Sequence, residues 1–237
     1  MSQAHFIITS AINTKHGMFN AETRLAQTQA SIVSVRSRVE DATIVILDSS
    51  VESPLTSQQE EALKESGADT IYTYGNYGLI QNIYRETDNH DIVKNYTELV
   101  TLTQYLYNHR SLPSRVFKLS GRYTLNDNFN LDAFLSDELK DNYIFVKHRQ
   151  SQFDPRLTGG LTLQFPSRLW SFPAHKIDLV LNRLYVMLED FDGCRAKGYY
   201  RDMEHLLFRY FSGPFLTEFE KIGVSGQIAP NGLAVSD

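Results

Sequence analysis

The sequence predicts an α/β fold with a mostly parallel, Rossmann-like central sheet, helices on the faces of that sheet and a helical C-terminal part. In the first half, short apolar runs typical of buried strands alternate with segments whose apolar residues recur every three or four positions. In the second half, two longer segments show the helical spacing clearly. A chain of 237 residues is long enough to form one domain of this kind.

Four strands and three helices are predicted in the first half. The strands are expected at 5–10, 43–47, 69–74 and 115–120, and the helices at 21–39, 57–66 and 91–109. Asn20 has the side chain of a good N-cap, and Gly67 is suited to ending the second helix. Strands that alternate with helices in this order form a parallel sheet, because each helix carries the chain back across the sheet.

The second half is less regular. An Asn-rich and Asp-rich turn is expected at 126–130, strands at 143–147 and 161–165, and helices at 175–191 and 201–211. No internal repeat, low-complexity tract or linker separates these segments. Residues 1–237 are therefore expected to fold as a single domain.

Charge and cysteine usage restrict the class of protein. The formal net charge is −5 and no block of like charges occurs, which argues against strong nonspecific binding to nucleic acid. Cys194 is the only cysteine, so no intrachain disulfide can form, as suits a reducing compartment. No signal peptide and no apolar run of membrane-spanning length is found. A cytoplasmic protein is expected.

Polar residues or glycines directly follow each of the four predicted strands of the first half. The segments are 9–13, 48–50, 75–78 and 120–123. In an open α/β sheet, ligands bind beyond the carboxyl ends of the strands. We therefore expect a ligand site at that edge of the sheet.

The most informative of these segments ends the fourth strand. There the apolar run gives way to Ser120-Gly121-Arg122. Glycine allows a ligand to approach the backbone, and the planar guanidinium of arginine matches a phosphate. Lys118 adds a second charge if it faces the cleft. The alternative is an ordinary turn in which Arg122 is solvated or paired with a carboxylate.

Several segments resemble the GT-A family of nucleotide-diphospho-sugar glycosyltransferases, and in particular a bacterial and viral polysaccharide-type subgroup. They are 6–12, 22–24 with Gln27 and Thr28, 46–50, 94–98 and 118–123. The resemblance covers about 5–130 well and the remainder in outline. It implies a GT-A-like fold in which 1–130 binds the nucleotide sugar and 131–237 binds the acceptor.

The activity implied by the resemblance is transfer of a sugar from a nucleoside diphosphate to a hydroxyl acceptor, by default a glycan. Alternatives are a viral enzyme that glycosylates a DNA base, and a non-catalytic protein that binds nucleotides or carbohydrates, since a fold does not establish chemistry. The residues expected to bind the nucleotide sugar are Thr9, Ser10, Asn13, Arg24, Asp48, Ser49, Lys94, Lys118, Ser120, Gly121 and Arg122. Lys94 and Glu98 lie four positions apart on one helix face, so a simple surface ion pair is an equal alternative for Lys94.

The sequence departs from the family at its metal-binding motif. Many GT-A enzymes carry Asp-X-Asp after the central strand, where this chain has Ser120-Gly121-Arg122; Asp127 and Asp132 follow at a different spacing. A fixed cation can stabilise a leaving diphosphate as a metal does. We therefore expect metal-independent transfer with no cofactor. Magnesium or manganese is the alternative, with Asp48, Asp127 or Asp202 as ligands.

Candidates for the catalytic base lie near the last predicted helix. An acceptor hydroxyl loses its proton to a carboxylate or a histidine. Glu204 is the first candidate, followed by Asp202, which is alternatively an N-cap, and His205. Arg122 is expected to assist catalysis by stabilising the leaving group. His148 and Arg149 follow a predicted strand and, with His205, are expected to contact the acceptor.

Overall fold

Twelve strands and seven α-helices make up the part of the chain that the computed structural model describes, residues 4–228 and 232–237. The strands are β1 (Ala4–Ser10), β2 (Thr43–Asp48), β3 (Thr70–Thr73), β4 (Arg115–Ser120), β5 (Tyr123–Leu125), β6 (Tyr143–Val146), β7 (Arg149–Gln150), β8 (Leu163–Gln164), β9 (Leu169–Pro173), β10 (Leu216–Phe219), β11 (Val224–Gln227) and β12 (Ala234–Ser236). The helices are α1 (Ala21–Arg38), α2 (Ser57–Glu65), α3 (Gly78–Glu86), α4 (His90–Asn108), α5 (Leu131–Leu135), α6 (Ile177–Ala196) and α7 (Met203–Phe211).

A seven-stranded sheet organises the fold, with the strand order β10-β6-β9-β4-β1-β2-β3. Every neighbouring pair is parallel except the two pairs made by β9, which runs antiparallel to β4 and to β6. The predicted α/β class with a mostly parallel sheet is therefore confirmed. Strands from both halves of the chain share this one sheet.

The central strand β1 separates two apolar cores. Its side chains alternate between the two faces of the sheet, as in any strand. Ile7 packs with residues of α4 and α6, whereas Phe6 and Ile8 pack with residues of α1 on the other face. All three side chains are completely buried. The continuous apolar sequence of β1 follows from this burial on both faces.

Two helix starts show why the local sequence folds as it does. The Asn20 side chain accepts a hydrogen bond from the Thr23 amide and so caps α1, as expected. Thr56 and Gln59 form a reciprocal capping box at the start of α2. Gly67 follows α2 with a φ of 108°, a left-handed conformation that favours glycine.

The carboxyl ends of β1, β2 and β4 meet at one edge of the sheet. Thr9 lies opposite Ser120, and Ser10 lies opposite Asp48. Backbone hydrogen bonds continue the connection beyond the strands: the Gly121 amide donates to the Thr9 carbonyl at 2.9 Å, and the Ser49 amide donates to the Ser10 carbonyl at 2.9 Å. This arrangement brings three of the predicted ligand-binding segments together.

Short elements were not predicted from the sequence. They are α3, α5, β5, β9, β10, β11 and β12. The strand expected at 161–165 is reduced to β8, which pairs only with β7 in a separate hairpin. Apart from the nine-residue α3, these segments have three to five residues, which contain too few alternations for a periodic signal, and most of the strands among them pair with distant parts of the chain.

The two longest helices, α4 and α6, pack against each other on one face of the sheet. Within 4–228 and 232–237, no helix is both long and apolar enough to cross a membrane.

A buried histidine at the start of β1 makes stability depend on pH. Burial, with a smaller contribution from His109, lowers the pKa of His5 from 6.5 to about 4. The unfolded chain therefore takes up a proton near pH 6.5 that the folded chain rejects until about pH 4. The contribution of His5 to the free energy of unfolding is therefore fully present above pH 6.5. It falls by about 3 kcal/mol as the pH is lowered from 6.5 to about 4.

We expect His5→Gln to remove this part of the pH dependence, because glutamine does not titrate and retains an amide for the Tyr105 hydroxyl, which lies 2.9 Å from His5 Nε2. Urea unfolding between pH 4 and pH 7.5 measures it. His175→Gln, at an exposed position, is the control and should retain the wild-type slope. Equal slopes in His5→Gln and wild type would contradict the assignment.

Candidate functional site

A cleft opens at the carboxyl edge of the sheet, between α1 and α4. Its cavity volume is about 90 Å³, smaller than the roughly 300–1,000 Å³ of typical small-molecule sites. Its lining residues are Thr9, Ser10, Ala11, Thr14, His16, Gly17, Arg24, Thr28, Ser49, Tyr84, His90, Val93, Lys94, Thr97, Glu98, Thr101, Ser120, Gly121 and Arg122. Of the eleven residues predicted to bind the nucleotide sugar, Thr9, Ser10, Arg24, Ser49, Lys94, Ser120, Gly121 and Arg122 line it.

The loop after β4 is packed tightly against β1. A Cβ atom at Gly121 would lie 3.1 Å from the Thr9 carbonyl oxygen and 3.1 Å from the Thr28 hydroxyl. Few real Cβ atoms come so close, so a glycine is needed for the loop to approach β1 and α1. This contact fixes the direction in which the chain enters Arg122.

Two cations in the cleft have no ionic partner among the described residues. Neither the Arg122 guanidinium nor the Lys94 ammonium makes a hydrogen bond or ion pair there, although both line the cleft. The Nε atom of Arg122 is buried and unbonded. A buried polar group without a partner is costly, so this arrangement favours an anionic ligand. The alternative of an Arg122 paired with a carboxylate is not what the described residues show.

Arg24 also lines the cleft, but its guanidinium is committed to the protein. Its three nitrogens donate to the carbonyl oxygens of Phe19, Ala11 and His16, at 2.9, 3.2 and 2.7 Å. Arg24 therefore holds the loop after β1 in place. These hydrogen bonds give Arg24 a structural role; because it also lines the cleft, contact with a nucleotide stays a prediction.

Two further predicted ligands are structural. Asp48 is buried, and its carboxylate accepts hydrogen bonds from the amides of Ile12 and Ser50. Burial raises the pKa of the Asp48 carboxyl, against these hydrogen bonds. The Asn13 amide donates to the carbonyl oxygens of Ser53 and Pro54. Neither side chain lines the cleft, so both predictions are corrected: these residues shape the loops around it.

Lys118 is the third predicted ligand-binding residue that does not line the cleft, and its side chain is completely buried. Its ammonium is ion-paired with Glu98 and donates to the Ser120 hydroxyl at 2.7 Å and to the Ser167 carbonyl at 2.9 Å. An ammonium has three donors, and all three are used. Lys118 therefore does not contact a ligand, contrary to prediction.

Glu98 pairs with Lys118 rather than with Lys94. The surface pair suggested by the spacing of Lys94 and Glu98 is not formed, and both side chains line the cleft instead. Burial on its own would raise the pKa of the Glu98 carboxyl, but the charges of Lys118 and Lys94 outweigh burial and lower it. Glu98 is therefore an ionised carboxylate in the cleft.

One face of α4 adds Thr97 and Thr101, which were not predicted from the sequence, to the predicted Lys94. Lys94, Thr97, Glu98 and Thr101 all line the cleft, at positions i, i+3, i+4 and i+7 of the helix. A polar stripe at helical spacing inside an otherwise apolar helix was the available signal.

Aromatic side chains at one end of the cleft were also missed. The rings of His16 and Tyr84 lie 5.1 Å apart, and the Tyr84 hydroxyl is 2.8 Å from the Thr14 hydroxyl. Burial, with help from the charges of Lys15 and His90, lowers the pKa of His16. Tyr84 belongs to α3, which was itself not predicted, so the sequence carried no signal for this contact.

The predicted base Glu204 lies outside the cleft and binds the β7–β8 hairpin. Its Oε2 accepts from Arg149 Nη2 and Gln164 Nε2, both at 2.7 Å. Its Oε1 accepts from the Ser167 amide at 3.1 Å. Glu204 and Arg149 therefore satisfy each other. Both side chains anchor the hairpin. The role of Glu204 as base and that of Arg149 as an acceptor contact stay predictions.

The other candidates of the C-terminal half are also engaged. Asp202 caps α7, and its carboxylate lies 2.6 Å from Nδ1 of the fully buried His205. Burial alone would raise the pKa of Asp202, but the contact with His205 outweighs it and lowers the pKa. His148 Nδ1 lies 2.9 Å from Glu218. None of these three lines the cleft. Their predicted roles as base or acceptor contact stay predictions.

Comparison with known proteins gives the fold. No protein-family model and no curated protein sequence matches the chain. Core-mannan synthase A from Aspergillus fumigatus, in its Mn/GDP form, is similar in structure with a TM-score of 0.56 and 10% identity, over 100% of this chain and 81% of that one. The mannosyltransferase Ktr4p from S. cerevisiae in complex with GDP has a TM-score of 0.56 and 10% identity, over 89% of this chain and 66% of that one. A second structure of Ktr4p has a TM-score of 0.57 and 8% identity, over 89% of this chain and 66% of that one. The predicted GT-A-like fold is confirmed.

The expectation of metal-independent action is wrong on this comparison, because core-mannan synthase A has Mn together with GDP on the same fold. The residues of this chain nevertheless do not fit a protein-held ion. Within the described ranges, no group of three or more His, Cys, Asp or Glu side chains could hold a metal. The alternative ligands lie apart in separate contacts: Asp48 is buried, Asp127 is fully exposed and paired with Arg38, and Asp202 contacts His205. We derive no step through a metal.

We expect Glu204→Ala to loosen the β7–β8 hairpin, because it leaves Arg149 and Gln164 without their acceptor. The cost should be about 1–3 kcal/mol of unfolding free energy. Hydrogen exchange at 149–167 should accelerate, while exchange in β1 and β4 should not. Glu220→Ala is the matched control, since Glu220 forms an exposed pair with Lys147. Unchanged exchange at 149–167 in Glu204→Ala would refute the anchoring role.

Proposed function

We propose that the protein is a glycosyltransferase that moves a sugar from a nucleoside diphosphate to a hydroxyl group of a glycan acceptor. The observation that carries the proposal is the presence of two cations without ionic partners, Arg122 and Lys94, in a cleft at the carboxyl edge of the sheet. Core-mannan synthase A and the mannosyltransferase Ktr4p share this fold, and a structure of each contains GDP. Cleft position, charge and fold thus agree.

The roles of the two cations follow from their chemistry. The Arg122 guanidinium offers a planar fork for two oxygens of a phosphate, and the Lys94 ammonium adds a compact charge. Negative charge accumulates on the diphosphate as the sugar leaves. Fixed donors aimed at that charge stabilise the transition state more than the bound substrate, and so increase the rate.

In the reaction, the bond between the sugar C1 and the diphosphate oxygen breaks, and a bond between C1 and the acceptor oxygen forms. The acceptor hydroxyl gives up its proton to water, and the nucleoside diphosphate leaves with the oxygen and the electron pair of the broken bond. We assign no protein residue as the base, because Glu204, Asp202 and His205 are all committed to structural contacts outside the cleft.

The proposal also assigns donor binding and acceptor binding to different parts of the chain. All the residues that line the cleft fall between Thr9 and Arg122. This supports the assignment of the nucleotide sugar to 1–130. We propose that 131–237 contributes to the acceptor side, where the β7–β8 hairpin is anchored by Glu204 and His205.

Incubation with GDP-, UDP-, ADP- and dTDP-linked sugars, with Mn²⁺ present, tests the proposal. We expect one series to release nucleoside diphosphate, and Arg122→Ala to weaken binding of that diphosphate by about 1.5–3 kcal/mol, the range for a hydrogen bond to a charged group. Arg122→Lys should recover part of the loss, because it restores the charge without the fork.

Arg156→Ala is the control, since Arg156 lies on an exposed loop and pairs only with Asp154 among the described residues. Its affinity should equal that of wild type. Binding of a nucleotide sugar without transfer or hydrolysis would favour a non-catalytic binding protein. An unchanged affinity in Arg122→Ala would remove the basis of the proposal.

A further inference from the structure

Besides Arg122 and Lys94, the cleft is lined by a hydroxyl-rich group of side chains, which together with Glu98 is called the floor. Hydroxyl side chains from four elements meet there: Thr9, Ser10, Thr28, Thr97, Thr101 and Ser120. Glu98 is the only carboxylate among the lining residues. A surface that combines several hydroxyls with one carboxylate has the hydrogen-bonding character that suits a polyhydroxylated ligand.

The hydroxyls of the helices are oriented by their own backbone. The Thr28 hydroxyl donates to the Arg24 carbonyl at 2.9 Å, Thr97 to the Lys94 carbonyl at 3.1 Å, and Thr101 to the Glu98 carbonyl at 3.0 Å. A hydroxyl that has donated its proton still has lone pairs with which to accept. These three side chains therefore present acceptors.

Glu98 adds the strongest acceptor. Its Oε1 is paired with Lys118 and accepts from the Thr9 hydroxyl at 3.2 Å. Its Oε2 accepts no hydrogen bond from any described residue. Lys118 lies behind Glu98 with all its donors used, so the ion pair presents a carboxylate oxygen to the cleft and no cation.

A surface of acceptors does not suit a phosphate, which is itself an anion and an acceptor. It suits the hydroxyl protons of a sugar. The same cleft therefore offers both kinds of group: Arg122 and Lys94 provide donors for an anion, and the floor provides acceptors for hydroxyls.

We propose that this floor is the subsite for the transferred sugar, that Glu98 Oε2 accepts a hydrogen bond from a hydroxyl of that sugar, and that the sugar is neutral. The inference rests on the proposed function. A uronic acid placed at the same position would bring a second carboxylate towards Glu98. Like charges at short range in a partly buried site repel each other, so the subsite discriminates against anionic sugars.

Isothermal titration separates the sugar from the nucleotide. The probes are GDP, GDP-mannose and GDP-mannuronic acid, and UDP, UDP-glucose and UDP-glucuronic acid. For the nucleotide series that binds, we expect wild type to prefer the neutral sugar over the uronic acid by about tenfold. Glu98→Gln should reduce that preference to about threefold or less, and should weaken the neutral sugar nucleotide more than the free diphosphate.

Two further variants keep the test decisive. Glu98→Gln/Lys118→Met removes both charges together, which avoids leaving an unpaired buried ammonium, and should show the same loss of preference. Glu61→Gln, on the exposed side of α2, is the matched control and should behave as wild type.

The outcomes distinguish this inference from the proposed function. If none of GDP, UDP, ADP and dTDP binds, the proposed function fails and the inference fails with it. If a diphosphate binds but Glu98→Gln retains the wild-type preference, only the inference is overturned. An equal loss for the free diphosphate and the sugar nucleotide would place the ribose on the floor, and would also overturn the inference alone.

Discussion

The ion pair between Lys118 and Glu98 is the interaction on which the site depends. A fully buried ammonium on β4 would be strongly destabilising without a partner, because the interior cannot replace water around the charge. Glu98 supplies the compensating charge from α4, and Ser120 and the Ser167 carbonyl supply the remaining acceptors. The pair therefore joins α4 to the end of β4 and brings the polar face of that helix over the strand ends.

Most of the scaffold follows from the sequence, because burial on both faces leaves a clear pattern. The apolar runs of β1, β2 and β4 identify the parallel strands, and parallel strands necessarily end at one edge. The position of the cleft could therefore be predicted. Arg122 could be singled out, because a cation directly after Ser120-Gly121 at a strand end has a physical meaning that does not depend on distant residues.

The roles of individual polar residues could not be predicted, because their partners come from remote parts of the chain. Glu204 is bound by Arg149 and Gln164, which reach it through the pairing of two very short strands. In the sequence, Lys118 and Arg24 each look like a charged ligand-binding group. In the structure, both side chains donate their hydrogen bonds to other groups of the protein. The missing Asp-X-Asp likewise did not settle the question of metal, since a metal occurs with GDP on the same fold.

The central claim is that Arg122 and Lys94 receive the diphosphate of a nucleotide at the carboxyl edge of the sheet. A crystal structure of the protein with a bound nucleoside diphosphate tests it most directly. The account predicts phosphate oxygens within about 3 Å of the Arg122 guanidinium. A nucleotide bound instead in the cavity that contains Arg110, Lys140 and His175 would contradict it.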